Sequence, residues 1–371
     1  MAGLKPRILR QSLLALACCL AMVSDAATKS RRGKMASPPL AKNQNQNQNQ
    51  VAIAYSTRAD AMQMADAIAE RRGLDAQWVR RVIGDARHLP RIGRWVLPAP
   101  TGTSKNWRVY RSRFIDPVRI QAGVAFWNTH AGTLERAEKE FGVPAEIIVG
   151  ILGVETIYGR DTGDFRVVDA LATLSFDFPA AHPRAGQRRE FFLGELEQLL
   201  SLASRMGADP LVFKGSYAGA MGLPQFMPSS WVRYAIDFDG DGRVDLFHSA
   251  SDAIGSVANY FVAHGWRKGM ATHFETGSDS SGWDLQRLLA PDILPTFSAD
   301  ALSASGMVLD PLARQYDGKL ALVELQNGVA PATYVLGTDN FYAITRYNWS
   351  SYYAMAVIEL GRDVASARRR K

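Results

Sequence analysis

Two cysteines are all that this 371-residue chain contains, Cys18 and Cys19, and both lie near its start. If residues 1–26 are removed on export, the remaining chain holds none, so no disulfide supports the fold. Long apolar runs are missing as well. The run from Ser12 to Val23 is too short to span a bilayer, and no later stretch offers the roughly 18 apolar residues of a membrane helix, so no transmembrane segment is expected. The six histidines show no metal-ligand spacing, and no Gly-rich phosphate loop is present. Nothing recommends a nucleic-acid partner or an organic cofactor.

What is present begins with a leader. Lys5, Arg7 and Arg10 precede the apolar run, and Ser24-Asp25-Ala26-Ala27 follows it, the order of a secretory signal cleaved after Ala26. Export to the periplasm is the expectation. An outer-membrane lipid anchor is the lesser reading, because Ala15 rather than Leu stands three residues before Cys18, and Leu16 precedes Cys19 with Cys18 between. Losing three basic residues and Asp25 takes the net charge from +7 to +5, a balance that suits an anionic polymer. Residues 27–50 combine a basic cluster, Pro38-Pro39 and an alternating Asn-Gln tract, and read as a disordered linker with almost nothing to bury.

About 320 residues remain, enough for a real core. Residues 51–113 read as an N-terminal helical region, with helical spacing from Ala59 to His88 and a Pro- and Gly-rich loop over 90–102. Helical periodicity resumes over Pro117 to Phe141. The segment from Glu146 to Gly159 reads as a helix apolar on nearly every side, with Pro144 suited to its first turn and Gly159 to its end. Glu155 stands inside it, beside Ile148, Ile151, Leu152 and Tyr158 at helical spacing. A carboxyl group directed at apolar neighbours stays protonated toward neutral pH, the state a general acid requires. The bland alternative is a structural Glu paired with Arg160 or Arg166. Two amphipathic helices are expected over 169–179 and 189–200. Gly215 to Ser230, rich in glycine and small residues and holding Pro224 and Pro228, reads as an irregular wall that a ligand could approach closely.

Gly153-Val-Glu-Thr-Ile-Tyr-Gly159, Ala170-Leu-Ala-Thr-Leu-Ser-Phe-Asp177 and Ser216 to Ser230 follow one another in order, and Asp252 to Phe261, His264-Gly-Trp266, Asn340 to Asn348 and Tyr353 to Val357 continue the series. With these segments the chain resembles the membrane-bound lytic transglycosylase B family from about Phe114 to Gly361, the front matching only loosely. The resemblance implies a lysozyme-like core that cleaves peptidoglycan glycan strands between N-acetylmuramic acid and N-acetylglucosamine. It also implies that Glu155 is the sole acid/base residue, and that Ser216, Gln225, Tyr260, Tyr347, Asn348 and Tyr353 line the sugar groove.

Independently of that family, Asp237-Phe-Asp-Gly-Asp-Gly-Arg-Val-Asp245 fits the first nine positions of a calcium loop. Asp237, Asp239 and Asp241 take ligand places, the carbonyl of Arg243 is a fourth, and Gly242 allows the sharp turn. His248 stands where the closing Glu belongs and the next acid is Asp252; the resemblance implies an enlarged loop closed by a later Asp, this chain's being one residue longer still. The ion would be structural Ca2+. A solvated Asp-Gly turn is the alternative.

The last third turns to strand patterning. Lys319 to Leu325 and Ala332 to Leu336 flank Asn327-Gly328 as a hairpin, Phe341 to Tyr347 reads as a further strand or groove edge, and Tyr352 to Ala367 as a final helix. The fold class expected is mainly helical α+β: a catalytic core over 114–270 carrying the loop 237–252, a small mixed or β region over 271–338, and a segment 339–371 returning to the core. Three functions stay in play: a lytic transglycosylase with one acid, a muramidase-type hydrolase using a second acid such as Asp161, Asp164 or Asp177, and a catalytically silent, calcium-stabilised wall-binding protein. An intact Glu155 beside Ser216 and Gln225 argues against the last.

Overall fold

The computed structural model describes residues 54–98 and 105–370. The leader, the linker and part of the 90–102 loop lie outside the described residues. Among the described residues no helix is long and apolar enough to cross a membrane.

The first helical pattern resolves into two helices, α1 (Ala59–Arg72) and α2 (Ala76–Gly84). The chain breaks at Gly73, whose φ of 63° is left-handed, and restarts where the Asp75 carboxylate accepts the Trp78 amide. Within the passage read as loop lies a short helix, α3 (Ile92–Trp95), and α4 (Trp107–Arg111) follows. The 117–141 pattern likewise divides at His130 into α5 (Pro117–Thr129) and α6 (Ala131–Phe141), α5 starting on an Asp116 side chain that accepts two amides.

Next comes α7 (Ala145–Thr156), buried along almost its whole length. It ends earlier than Gly159, at Ile157 with φ 50°. β1 (Phe165–Arg166) pairs antiparallel with β2 (Lys214–Gly215), and between them lie α8 (Val167–Phe176) and α9 (Ala185–Met206). Every residue of α8 is buried, so it is a core helix rather than the amphipathic one expected. After α10 (Pro228–Tyr234) and α11 (Ala250–Ala263) comes the small unit, with β3 (His273–Glu275), three short helices α12 (Leu285–Leu289), α13 (Ala299–Ser303) and α14 (Pro311–Gln315), and the hairpin β4 (Ala321–Asn327) and β5 (Ala330–Gly337).

The hairpin turns through Gly328-Val329, one residue beyond the expected Asn327-Gly328 because Asn327 still pairs with Ala330, and β3 pairs with the other edge of β5 to give the antiparallel order β3-β5-β4. A register shift between Leu325 and Asn327 bends the hairpin end. Residues 341–347 are not a strand: α15 (Asp339–Thr345) covers most of them, because the Thr338 hydroxyl accepts the Asn340 amide and starts a helix there. α16 (Ser351–Arg369) closes the chain.

One large core runs from Tyr55 to Val364 and includes the N-terminal helices, whereas residues of α12, α13, α14 and the strand faces of Leu322 and Leu336 form a smaller second core. Two ion-pair groups tie the front of the chain to the middle: Arg58 meets Asp177 at 2.6 Å, and Glu197 is held by Arg71 and Arg72. α7 packs along α16, and glycines set how closely. A Cβ on Gly150 would stand 2.2 Å from the Val357 carbonyl oxygen, and one on Gly361 would stand 2.1 Å from that of Glu146. This contact brings a residue of α16 up to the acid on α7.

Candidate active site and metal loop

Glu155 stands one residue from the C-terminal end of α7, where the chain then passes through left-handed backbone at Ile157 and Tyr158, φ 50° and 59°. Non-glycine residues hold such angles only where their surroundings fix them. Part of the Glu155 side chain reaches solvent, yet its carboxyl group is crowded by protein, and desolvation pushes its pKa up from 4.5 to about 7. The opposing influence is a hydrogen bond: the Tyr353 hydroxyl donates to Oε1 at 2.5 Å, which favours the charged form. No neighbouring carboxylate contributes to the shift. Asp161 and Asp164 are exposed, and Asp177 is engaged by Tyr55 and Arg58.

The tyrosines form a series leading away from the acid. Tyr353, buried on α16, stacks on Tyr347 with centroids 6.3 Å apart, and Tyr347 lies 4.8 Å from Tyr260. Burial raises the pKa of Tyr347 and Tyr353 well above 10, and the nearby Glu155 charge adds to both, so these hydroxyls keep their protons and act as donors. Tyr347 donates to the Pro224 carbonyl at 2.5 Å, while Tyr260 donates to that of Arg346 at 2.6 Å. Tyr260 is nearly fully buried with its hydroxyl spent on backbone, so it supports Tyr347 from behind. Asn348 follows Tyr347 and is half-buried.

The wall segment meets the acid's helix through backbone. Thr156 Oγ1 donates to the Leu223 carbonyl at 2.8 Å, one residue from Glu155 and two from Gln225. Gln225, itself left-handed at φ 50°, donates through Nε2 to the carbonyls of Thr162 and Gly222, both at 3.0 Å. Ser216 Oγ accepts the amides of Ala218 and Ala220 and folds the loop back on itself. Both polar side chains therefore shape the wall. Tyr110 on α4 is a neighbour the sequence reading missed. It meets Tyr352 edge-on at 5.7 Å and lies near enough to Tyr353 to disfavour ionisation of that hydroxyl slightly. Its own short helix lies far from the motif segments in sequence, and no local pattern pointed to it.

Because Tyr353 favours the ionised acid, Tyr353→Phe is expected to raise the Glu155 pKa further, moving the alkaline limb of kcat/KM to higher pH while lowering its maximum. A pH–rate profile of the variant checks this, and an unmoved limb would remove Tyr353 from the acid's environment.

In the loop before α11, oxygens of Asp237, Asp239 and Asp252 lie within 4.8 Å of one another. A calcium ion with ligands at about 2.4 Å leaves oxygens across it about 4.8 Å apart, so the spacing fits, as does an all-oxygen donor set. Asp252 is raised in pKa, first by desolvation and further by the charges of Asp239 and Asp237, a repulsion that a divalent cation offsets. Asp252 also accepts the amides of Phe238 and Asp245, which ties the two ends of the loop together. The loop's aspartates also accept amides of its own backbone: Asp237 those of Gly240 and Gly242, Asp239 that of Asp241, and Asp241 Oδ1 that of Arg243 at 2.8 Å. Ser249, which the sequence reading did not name, donates to Asp239 at 2.8 Å.

A carboxyl group that holds its proton toward neutral pH, with no other carboxylate among the described residues contributing to its shift, is chemically able to protonate a glycosidic oxygen. On a lysozyme-like fold, such a site belongs to the class of enzymes that cleave glycan strands. The family described as the Transglycosylase SLT domain matches residues 56–362. Over 323 residues the chain is 42% identical to the membrane-bound lytic murein transglycosylase B of Escherichia coli (strain K12), covering 85% of each. Its structure is similar to the Escherichia coli lytic transglycosylase Slt35 in complex with calcium, with a TM-score of 0.72 at 41% identity over 87% of this chain and 98% of that one. It is also similar to SltB3 from Pseudomonas aeruginosa in complex with NAG-anhNAM-pentapeptide, with a TM-score of 0.65 at 30% identity over 81% and 78%. The chain belongs to the membrane-bound lytic transglycosylase B family, and is thus a lytic murein transglycosylase.

Proposed function

We propose that this enzyme cleaves the β-1,4 bond between N-acetylmuramic acid and N-acetylglucosamine and leaves a 1,6-anhydromuramic acid end, with Glu155 serving as acid and then as base. The observation that carries this reading is the raised pKa of Glu155 in a site to which no other carboxylate contributes. Protonated Glu155 gives its proton to the glycosidic oxygen as the bond from the anomeric carbon breaks. The carbonyl of the substrate's own N-acetyl group supports the charge left on that carbon. The Glu155 carboxylate then takes the proton of the muramic acid 6-hydroxyl while that oxygen closes onto the anomeric carbon. Atoms balance without water. The nucleophile is already part of the bound sugar, and its proximity lowers the entropic barrier. Ser216, Gln225, Tyr347, Asn348 and Tyr353 line the groove in this reading, with Tyr260 behind them. The SltB3 structure, which holds an anhydro-sugar product, supports it. Incubation with purified sacculi should release muropeptides one water lighter than hydrolytic products and inert to borohydride. Reducible ends on most products would instead indicate a hydrolase.

The loop is proposed to hold a structural Ca2+ through Asp237, Asp239 and Asp252, supported by their spacing and by the calcium in Slt35. An ion bound only by the folded state stabilises by roughly 2.7 kcal/mol at a concentration a hundredfold above Kd. Added calcium should therefore raise Tm, and Asp237→Ala together with Asp239→Ala should abolish the rise. An undiminished rise in the double variant would place the ion elsewhere. The basic, apolar and small-residue order of the leader supports export to the periplasm, where the peptidoglycan partner lies.

A further inference from the structure

The wall that carries Ser216 and Gln225 continues into an aromatic cluster that the proposed chemistry does not use. Trp95 on α3, Phe165 on β1 and Tyr217 in the loop after β2 meet there from three separate segments. Trp95 meets Phe165 at 5.8 Å and 80°, and Tyr217 at 5.3 Å and 76°, both edge-on. All three are only partly buried where they pack on the main core.

Their position relative to the groove is fixed by backbone. Phe165 pairs in register with Gly215, the residue before Ser216. Gly163 approaches the same strand so closely that a Cβ there would stand 2.3 Å from the Gly215 carbonyl oxygen. Gln225 donates to the Thr162 carbonyl of that loop. Phe165 therefore stands where the loop leaving Glu155 ends and Tyr217 in the loop that begins at Ser216, both continuous with the candidate groove, and Trp95 of α3 meets both. Filling a core calls for apolar volume and full burial, which aliphatic side chains provide. Part-exposed rings in edge-on contact leave aromatic surface toward solvent, and such surface suits the apolar C–H face of a pyranose.

We propose that Trp95, Phe165 and Tyr217 form a stacking platform for a sugar ring of the glycan strand remote from the cleaved bond. This gives the N-terminal region a part in holding long strands. The inference rests on the reading of this chain as a glycan-cleaving enzyme.

The test compares two substrates, un-cross-linked glycan strands and a tetrasaccharide of two GlcNAc–MurNAc repeats. Trp95→Leu and Phe165→Leu keep apolar bulk and remove the aromatic face. Each should lower kcat/KM on strands about tenfold and leave the tetrasaccharide within about twofold, while Trp95→Phe retains most of the strand activity. Equal losses on both substrates, or no loss on strands, would overturn the platform. Should Trp95→Leu fail to fold by thermal melting, Phe165→Leu decides on the same two substrates. Wild-type protein inert toward both substrates would overturn the enzymatic reading itself, which keeps the two failures distinct.

Discussion

Glu155→Gln should lose turnover by about 10³-fold or more while still binding glycan, because glutamine keeps the shape and can neither give nor take the proton. The same variant should gain stability, and the gain should depend on pH. In the folded protein the acid's pKa lies near 7, above its ordinary value of 4.5, so ionisation is disfavoured by folding. The wild type therefore loses stability as pH rises from about 4.5 through about 7, and holds its full stability below that window. Removing the charge should leave melting at acid pH unchanged and stabilise the protein at about pH 8 by on the order of 1 to 3 kcal/mol, discounted for the partial exposure of the site. Melting curves at the two pH values check the sign. Turnover within a few-fold of wild type would remove Glu155 from the chemistry.

A second large effect is expected where two helix backbones meet. Gly150→Ala adds only a methyl group, but the atom it meets is the Val357 carbonyl oxygen, which belongs to a helix backbone and has no rotamer to change. α7 and α16 must separate for it to fit, at a cost of about 2 to 4 kcal/mol. The separation also draws Tyr353 away from Glu155. Lower Tm and reduced activity should therefore appear together, and a variant that melts and turns over like wild type would show that the close approach of the two helices is not needed.

These two residues mark how far the sequence could be read. The α7 helix and the anomaly of Glu155 within it were visible from apolar neighbours at helical spacing, and the raised pKa follows from that burial. Tyr353 lies 198 residues away, and only the resemblance to a family connected it to the acid. Gly150 read as one more apolar helix position, since the need for a glycine arises from the helix packed against it. The 341–347 run read as a strand where α15 stands because its aromatic residues lack a helical period over so short a stretch; its other reading, a groove edge, is not contradicted. α3 was hidden by the prolines and glycines on either side of it. In the metal loop, alternate aspartates identified the motif, whereas a later closing Asp came from the resemblance, and the bonds of Asp252 to the Phe238 and Asp245 amides had no local signal. The N-terminal region's attachment depends on pairs such as Arg58 with Asp177, distant in sequence, and no local signal announces them.

The central claim is that one acid completes the reaction with a hydroxyl of the substrate as the nucleophile. Turnover of glycan strands in water enriched in oxygen-18 addresses it directly, since hydrolysis installs a solvent oxygen on the anomeric carbon and intramolecular closure does not. Mass spectra of the newly formed muramic acid ends should show anhydro-sugars without the heavy isotope. Ends that carry oxygen-18 in most product molecules would contradict the account and require a second group that activates water.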